Sequence, residues 1–407
     1  MKYDFTSIID RKGKDALAVD NVGKIPGFAP DGPEKGFDLI PMWIADMNFA
    51  TVPTIQEEII KRVNHPTFGY FEPRDEYYQS IIEWQKNRNG ITDLTKECIG
   101  YENGVLGGVM SALNIFCSKG DNVLVHSPSY VKYQSVLDNS GYKMITSELK
   151  LDENNIFRID YKDTEQKIKD YKIHALIFCS PHNPCGRVWE KEELQKVSDI
   201  CQKYQVNIIS DEIWSDLILF NNKHVPFQTV SDYAKNNTIA FYAPSKTFNI
   251  SGLIGAYHII YNEILRDRYR KESSLSNYNE MNMLSMYSLI GAYKKEGYDW
   301  LNQLLVVLGE NVEYCVDYIN KNFEGVSVCK PQGTYMLFVN CTKWCEKSKK
   351  TIDDIEKEAW RVGVSIQDGR IFNGPCHFRM NVALPFSKVK EAMDRLDKYV
   401  FNKKVSN

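Results

Sequence analysis

The sequence predicts an α/β protein in two parts: a large domain on a mostly parallel sheet, and a smaller α+β domain at the C-terminal end. Three observations predict it. From about residue 100 to 260, short apolar runs alternate with longer amphipathic stretches, the pattern of strands and crossover helices in a parallel sheet covered on both faces. Past about residue 285 the texture changes to one long periodic stretch, Lys294 to Phe323, followed by strand-like and helix-like segments in mixed order. The length of 407 residues, with 43% hydrophobic and 25% charged residues, suits two globular domains with a sizeable core.

The elements follow in order. "YENGVLGGVMSALNIF" passes from Asn103 and Gly104 into an apolar helix. "NVLVHSP" (Asn122–Pro128) reads as a strand, and "SYVKYQSVLDNSG" as a helix ending at Gly141. "HALIFCSP" (His174–Pro181) is a second strand. The stretch Glu190–Gln205 then sets Leu194, Val197, Ile200 and Cys201 on one helical face. "VNIISDEIW" is a third strand and "TIAFYAPS" a fourth. In the C-terminal part, "GTYMLFVN" and "HFRMNVALP" read as strands with a helix near 352–362 between them. Residues 1–40 are expected to form an arm that belongs with the small domain or wraps onto a second subunit. The large domain is expected over 41–285 and the small one over 286–407.

The charge balance of 50 basic against 53 acidic residues, net −3, offers no electrostatic footprint for nucleic acid or an anionic membrane. No apolar run approaches the ~20 residues that span a bilayer. The N-terminus, "MKYDFTSIIDRKGKD", mixes charge into every turn and lacks a signal-peptide core. Ten cysteines are scattered singly. Cys341 and Cys345 have no second pair or histidines at zinc-like spacing, so no metal site is expected. Reduced thiols in a cytoplasmic protein fit this usage.

Several residues carry chemistry. Lys246 follows the apolar strand "TIAFY" almost at once, where an ammonium group either escapes to water or is put to use. Asp211 ends the run "VNIIS"; a carboxylate there needs a cation or several donors, or else caps a following helix. Asn183 in "SPHNPCGRVW" is either aimed by its proline-flanked turn or simply a turn residue. The glycine-led helix after Gly104 offers free N–H groups to an anion. Tyr130 follows a strand, where its ring stacks on a flat ligand or joins the core. Arg379 sits within a strand, suited to a carboxylate or to an internal salt bridge. A flat, cationic, phosphorylated cofactor bound covalently by an amine would use this whole ordered set, and pyridoxal 5′-phosphate fits, with Lys246 as its Schiff-base residue.

The chain resembles fold-type I pyridoxal-phosphate enzymes, the aspartate aminotransferase superfamily, and within it the MalY/PatB-type cystathionine β-lyases. The resemblance is carried by "PMWIADMNF" (Pro41–Phe49), "FGYFEP" (Phe68–Pro73), "SPHNPCGRVW", "SDEIWSDL" (Ser210–Leu217), "APSKTFNISGLIGAY" (Ala243–Tyr257) and "FRMNVALP". It implies a seven-stranded sheet in the large domain. It also implies that Lys246 bonds to the cofactor aldehyde, Asp211 holds the ring nitrogen protonated, Asn183 meets the ring oxygen and Tyr130 stacks on the ring. Val105 and Leu106 would take the phosphate through their backbone, Arg379 the substrate α-carboxylate, and Trp43 and Asp46 would flank the substrate entrance. Tyr70 would reach the phosphate of a neighbouring subunit, implying a homodimer.

Four positions depart from the pattern. Trp214 stands where tyrosine or histidine is commoner, Ala243 where serine is, Ile254 where aminotransferases carry a phosphate arginine, and Asn48 where aspartate is usual. Phosphate binding then leans on backbone amides, Ser245 or Tyr70. The activity implied is carbon–sulfur β-elimination from L-cystathionine or a related cysteine S-conjugate, giving a thiol, pyruvate and ammonia. A class I/II aminotransferase is the alternative, and a cofactor-bearing protein with a mainly regulatory protein partner a further one.

Overall fold

The structure, a computed structural model, describes residues 2–25, 30–275 and 279–402. The chain forms two compact units. One comprises residues 51–183 and 187–302; the other comprises 1–50, 184–186 and 303–407. The sequence reading puts the changeovers at 40/41 and 285/286. The second changeover of the structure falls inside one helix, where unbroken periodicity leaves no mark in the sequence.

The 51–302 unit is built on a seven-stranded sheet. Its strands are β1 (Ile99–Glu102), β2 (Asn122–Ser127), β3 (Lys143–Glu148), β4 (Ala175–Cys179), β5 (Asn207–Asp211), β6 (Thr238–Tyr242) and β7 (Ala256–Ile259). The spatial order is β1-β7-β6-β5-β4-β2-β3. Only β7 runs antiparallel to its neighbours, so the other six share one direction. All five residues of β4, and all five of β6, are buried. That explains their unbroken apolar runs: a central strand covered on both faces has no solvent side on which to alternate.

The helices of this unit used below are α1 (Asp75–Asn89), α2 (Val105–Phe116), α3 (Val131–Asn139), α4 (Lys191–Tyr204) and the single turn α5 (Pro244–Thr247). Helix α2 is apolar nearly all round and packs Val109, Ala112 and Leu113 into the sheet core with Val123, Ile177 and Phe241. Gly108 makes this approach possible, because a Cβ there would stand 2.2 Å from the Phe241 ring. Helix α4 starts with a reciprocal cap between Glu190 and Glu193 and buries Leu194, Val197, Ser198 and Cys201. Ile200, expected on that face, lies at its half-buried margin.

The other unit carries a four-stranded sheet of β8 (Ser327–Val328), β9 (Met336–Asn340), β10 (Gln367–Asp368) and β11 (His377–Asn381), in the order β8-β9-β11-β10. Its pairings are antiparallel, with Phe338 opposite Arg379 and Gln367 opposite Arg379 on the other side. The N-terminal segment joins it through a short parallel pairing of Ile40–Pro41 with Val364–Ser365. The long periodic stretch is helix α6 (Lys295–Asn322), and the predicted helix near 352–362 is α7 (Ile352–Arg361). Among the described residues, no helix is long and apolar enough to cross a membrane.

Candidate active site

The parallel strands deliver most of the predicted side chains to one edge of the sheet. Asp211 is the last residue of β5 and pairs in register with Phe241 of β6 and Cys179 of β4. Lys246 follows β6 on the turn α5, Asn183 lies four residues past β4, Tyr130 three past β2, and Val105 opens α2 three past β1. Each therefore leaves the carboxyl end of its strand, where open α/β sheets gather ligands.

Asp211 is the electrostatic centre of this edge. It is buried. Its Oδ2 accepts a hydrogen bond from Tyr133 Oη at 2.6 Å, and its Oδ1 accepts from the Ile213 N–H at 3.3 Å. Burial pushes its carboxyl above the usual aspartate range, while the Tyr133 hydroxyl, the Ile213 amide and the charge of Lys246 pull it back. No helix follows Asp211, so it caps none; the residues after it form turns. The adjacent Glu212 is fully buried and serves the scaffold. It accepts from Ser210 Oγ at 2.8 Å, Phe227 N–H at 3.1 Å and Tyr242 Oη at 2.7 Å, and meets His224 Nε2 at 2.7 Å. One carboxylate is thus committed to the fold while its neighbour faces the strand ends.

Lys246 is half-buried, with Nζ 5.8 Å from the ring centroid of Trp214. That indole is buried and gives the ammonium a π-face. Tyr130 is half-buried at the N-cap of α3 and meets Tyr133 edge-on, ring centroids 5.5 Å apart. Asn183 is buried in its turn. Gly104, with φ +88°, caps α2, which starts at Val105. The first N–H groups of a helix have no partner within it, so the end that Val105 and Leu106 open has the chemistry to suit an anion. Ser245 is half-buried beside Lys246.

The departures have structural counterparts. Ile254 is 55% exposed and takes φ +44°, unusual for a β-branched residue. Ser285 Oγ secures that turn by donating to the carbonyls of Leu253, at 2.6 Å, and of Ile254. Tyr70 is fully exposed, at 111% of its reference area, on a stretch of chain that is exposed throughout 63–70.

In the other unit, Arg379 is buried at mid-strand in β11. Its Nη2 donates to Gln367 Oε1 at 2.7 Å and to the Trp43 carbonyl at 3.2 Å, and its guanidinium lies 4.4 Å from the Phe372 ring centroid. Trp43, expected at the substrate entrance by its side chain, is fully buried. Its indole donates to Ala18 O at 3.0 Å and packs edge-on against Trp360, so it meets Arg379 through the main chain. Asp46 is ion-paired with Arg11 at 2.5 Å, and Arg11 also donates to Asn48 Oδ1 at 3.0 Å. The asparagine that departs from the family pattern is thus a partner of the same arginine.

Sequence reasoning named Lys246, Asp211, Asn183, Tyr130 and Arg379 but passed over Tyr133, Gln367, Phe372 and Arg11. Only Tyr133 left a usable trace. It stands three residues after Tyr130, on the same helical face, and Asp211 had already been judged in need of donors.

An amine, a buried carboxylate, a ring and a helix N-terminus thus stand at the carboxyl edge of a parallel sheet, an arrangement that suits a flat, phosphorylated cofactor in an α/β enzyme. The chain belongs to the aminotransferase class I and II family, whose model matches residues 38–396. It is 30% identical to cystathionine beta-lyase PatB of Bacillus subtilis, covering 81% of this chain and 83% of that protein. Among solved structures it is similar to cystalysin from Treponema denticola, which contains a pyridoxal 5′-phosphate cofactor, with a TM-score of 0.89 and 32% identity over 98% of each chain. It is also similar to a PLP-bound putative aminotransferase from Clostridium difficile 630, with a TM-score of 0.88 and 32% identity over 97% of this chain and 99% of that one.

Proposed function

We propose that this protein is a pyridoxal-phosphate-dependent carbon–sulfur β-lyase. It cleaves L-cystathionine or a related cysteine S-conjugate, with water, to a thiol, pyruvate and ammonia. The observation that carries the reading is the placement of Asp211 at the end of β5 and of Lys246 just past the end of the adjacent parallel strand β6, with Tyr133 holding the carboxylate. The residues fit the cofactor chemically: a buried carboxylate suits a protonated ring nitrogen, and a glycine-led helix start suits a phosphate. When bound, pyridoxal phosphate supplies an electron-accepting ring that stabilises negative charge at the substrate Cα.

In this reading Asp211 would hold the cofactor's ring nitrogen in its protonated form, and the Tyr133 hydroxyl would favour the charged form of Asp211. Lys246 would hold the cofactor through its amine, and the same Nζ, when unprotonated, would serve as the base for the substrate Cα proton. The β-sulfur then departs as a thiolate, a tolerable leaving group with a thiol pKa near ~8.5. Asn183 would meet the ring oxygen and Tyr130 would cover the ring. Val105, Leu106 and Ser245 would hold the phosphate, and Arg379 would bind the substrate carboxylate with its fork oriented by Gln367. Asp46, held by Arg11, would line the approach for substrate, whereas the Trp43 indole belongs to the core and only its carbonyl meets Arg379. The 51–302 unit is thus the cofactor-binding part in this reading.

The protein acts as a homodimer in this reading, which draws support from the exposed Tyr70 and Phe68: an aromatic pair on an exposed stretch suits a neighbouring subunit. Cytoplasmic placement draws support from the ten cysteines, all free thiols.

The deciding experiment is pyruvate release from L-cystathionine by the purified holoenzyme without any 2-oxoacid. Release supports the lyase. Turnover that requires a 2-oxoacid acceptor makes the protein an aminotransferase instead.

A further inference from the structure

We propose that Asp216 is a positioning residue for Lys246, acting through the hydroxyl of Thr247. The inference rests on the reading of Lys246 given above. Asp216 lies in the loop after β5 and is buried. Its Oδ2 accepts from Thr247 Oγ1 at 2.9 Å and its Oδ1 accepts from Trp84 Nε1 at 3.0 Å. Arg88 Nε stands 3.9 Å from Oδ1. Burial pushes the Asp216 carboxyl up, and Arg88, Thr247 and Trp84 pull it down. A carboxylate taken out of water in this way is retained only against a network of donors.

The lysine needs such an anchor because its own element is weak. Helix α5 is a single turn of four residues, far below the length at which a helix is stable by itself. Pro244 sets the entry to the turn. The exit is held by two consecutive side chains. Thr247 is tied to Asp216, and Phe248 is buried, stacked on Trp300 at 5.5 Å and 5.8 Å from Trp84. Trp84 of α1 serves both anchors, since it touches Phe248 and donates to Asp216.

The end of β5 and the loop after it therefore meet the lysine turn three times. Asp211 feels the charge of Lys246, Trp214 presents its ring to Nζ, and Asp216 holds the next residue along. The bond between Asp216 and Thr247 sets the distance between the strand-end carboxylate and the strand-end amine. Asp216 and Thr247 each lie on the stretch of chain that follows a strand, and this bond joins the two stretches directly.

The test compares Thr247→Val and Thr247→Ser with the parent, each as full-length protein loaded with pyridoxal phosphate. Valine keeps the shape and leaves Arg88 and Trp84 on Asp216, so it removes the one bond at issue. Thr247→Val is expected to lower kcat about 10- to 100-fold with KM changed less than about twofold, since small displacements of a reacting group cost this much. The pH midpoint of the cofactor absorbance should move by about half a unit or more, because the charges around the amine are displaced. Thr247→Ser should recover kcat to within about threefold, as it restores the donor. Hydrogen exchange of the peptide spanning 244–248 should quicken in the valine variant alone. The proposal is overturned if Thr247→Val matches the parent in kcat, absorbance midpoint and exchange. It is equally overturned if both variants lose kcat together with exchange protection across the whole unit, the mark of a merely structural residue. Should the parent itself lack lyase turnover, the functional reading fails separately, and the local exchange comparison still decides whether Asp216 anchors the turn.

Discussion

Tyr133 Oη donates to Asp211 Oδ2 at 2.6 Å across 78 residues of chain, with both groups buried. The bond joins a helix that follows β2 to the end of β5, and it gives a buried carboxylate a donor that favours its charged form. Burial raises Asp211 and the tyrosine hydroxyl opposes that shift. Tyr133→Phe should therefore lower kcat/KM about 10- to 100-fold, the cost of one hydrogen bond to a charged buried group, ~1.5–3 kcal/mol. Steady-state kinetics with the holoenzyme, alongside the cofactor dissociation constant, measures it; a variant as active as the parent would remove Tyr133 from the site.

Lys246→Ala removes the amine at the end of β6. The expected result is loss of the cofactor's yellow absorbance band and a fall in turnover to background, with the fold kept. Absorbance spectra and circular dichroism of parent and variant check this. Retention of both colour and turnover would place the covalent amine on another lysine.

Gln367 holds one nitrogen of Arg379 from the neighbouring strand, at 2.7 Å. Gln367→Leu keeps the volume but loses the acceptor, so the arginine's fork loses its orientation. KM for the amino-acid substrate should rise about 10-fold with kcat changed little, as a bond worth ~1–1.5 kcal/mol to ground and transition states alike predicts. A fall in kcat at constant KM would contradict that role.

Glu356 on α7 has its carboxyl pushed up to about 7, first by burial and then by Asp368 and Asp353, against the pull of Arg370. A raised carboxyl makes ionisation costlier in the folded chain than in the unfolded one. The penalty is absent below the ordinary carboxylate range, grows as pH rises, and is complete above about 7. Glu356→Gln should therefore melt with the parent at pH 4 and about 1–2 °C above it at pH 8. Thermal melts at both values test the sign; a variant less stable at pH 8 refutes it.

The strand-and-helix alternation was legible because its physics is local. A fully covered strand such as β4 must be apolar at every position, and α4 shows its period and its cap within sixteen residues of sequence. Lys246 and Asp211 were legible for a related reason. Charged groups at the ends of apolar runs are conspicuous, and the order of such residues along the chain pointed to one cofactor chemistry.

Which side chains serve these groups was decided elsewhere. Tyr133 and Thr247 look like ordinary residues of amphipathic or polar segments, and Gln367 and Arg11 stand in stretches with no distinguishing pattern. They acquire their roles through hydrogen bonds spanning 78, 31, 12 and 35 residues. The Trp43 indole likewise found its partners, Ala18 and Trp360, through the fold alone.

By itself, then, the order of residues determined the elements, the family likeness and the candidate groups for chemistry, since periodicity and charge placement act over a few residues. Only the tertiary structure decided which donors surround Asp211, Asp216 and Arg379. A hydrogen bond requires atoms about 3 Å apart, and strand order and register, rather than nearness in sequence, bring those atoms together.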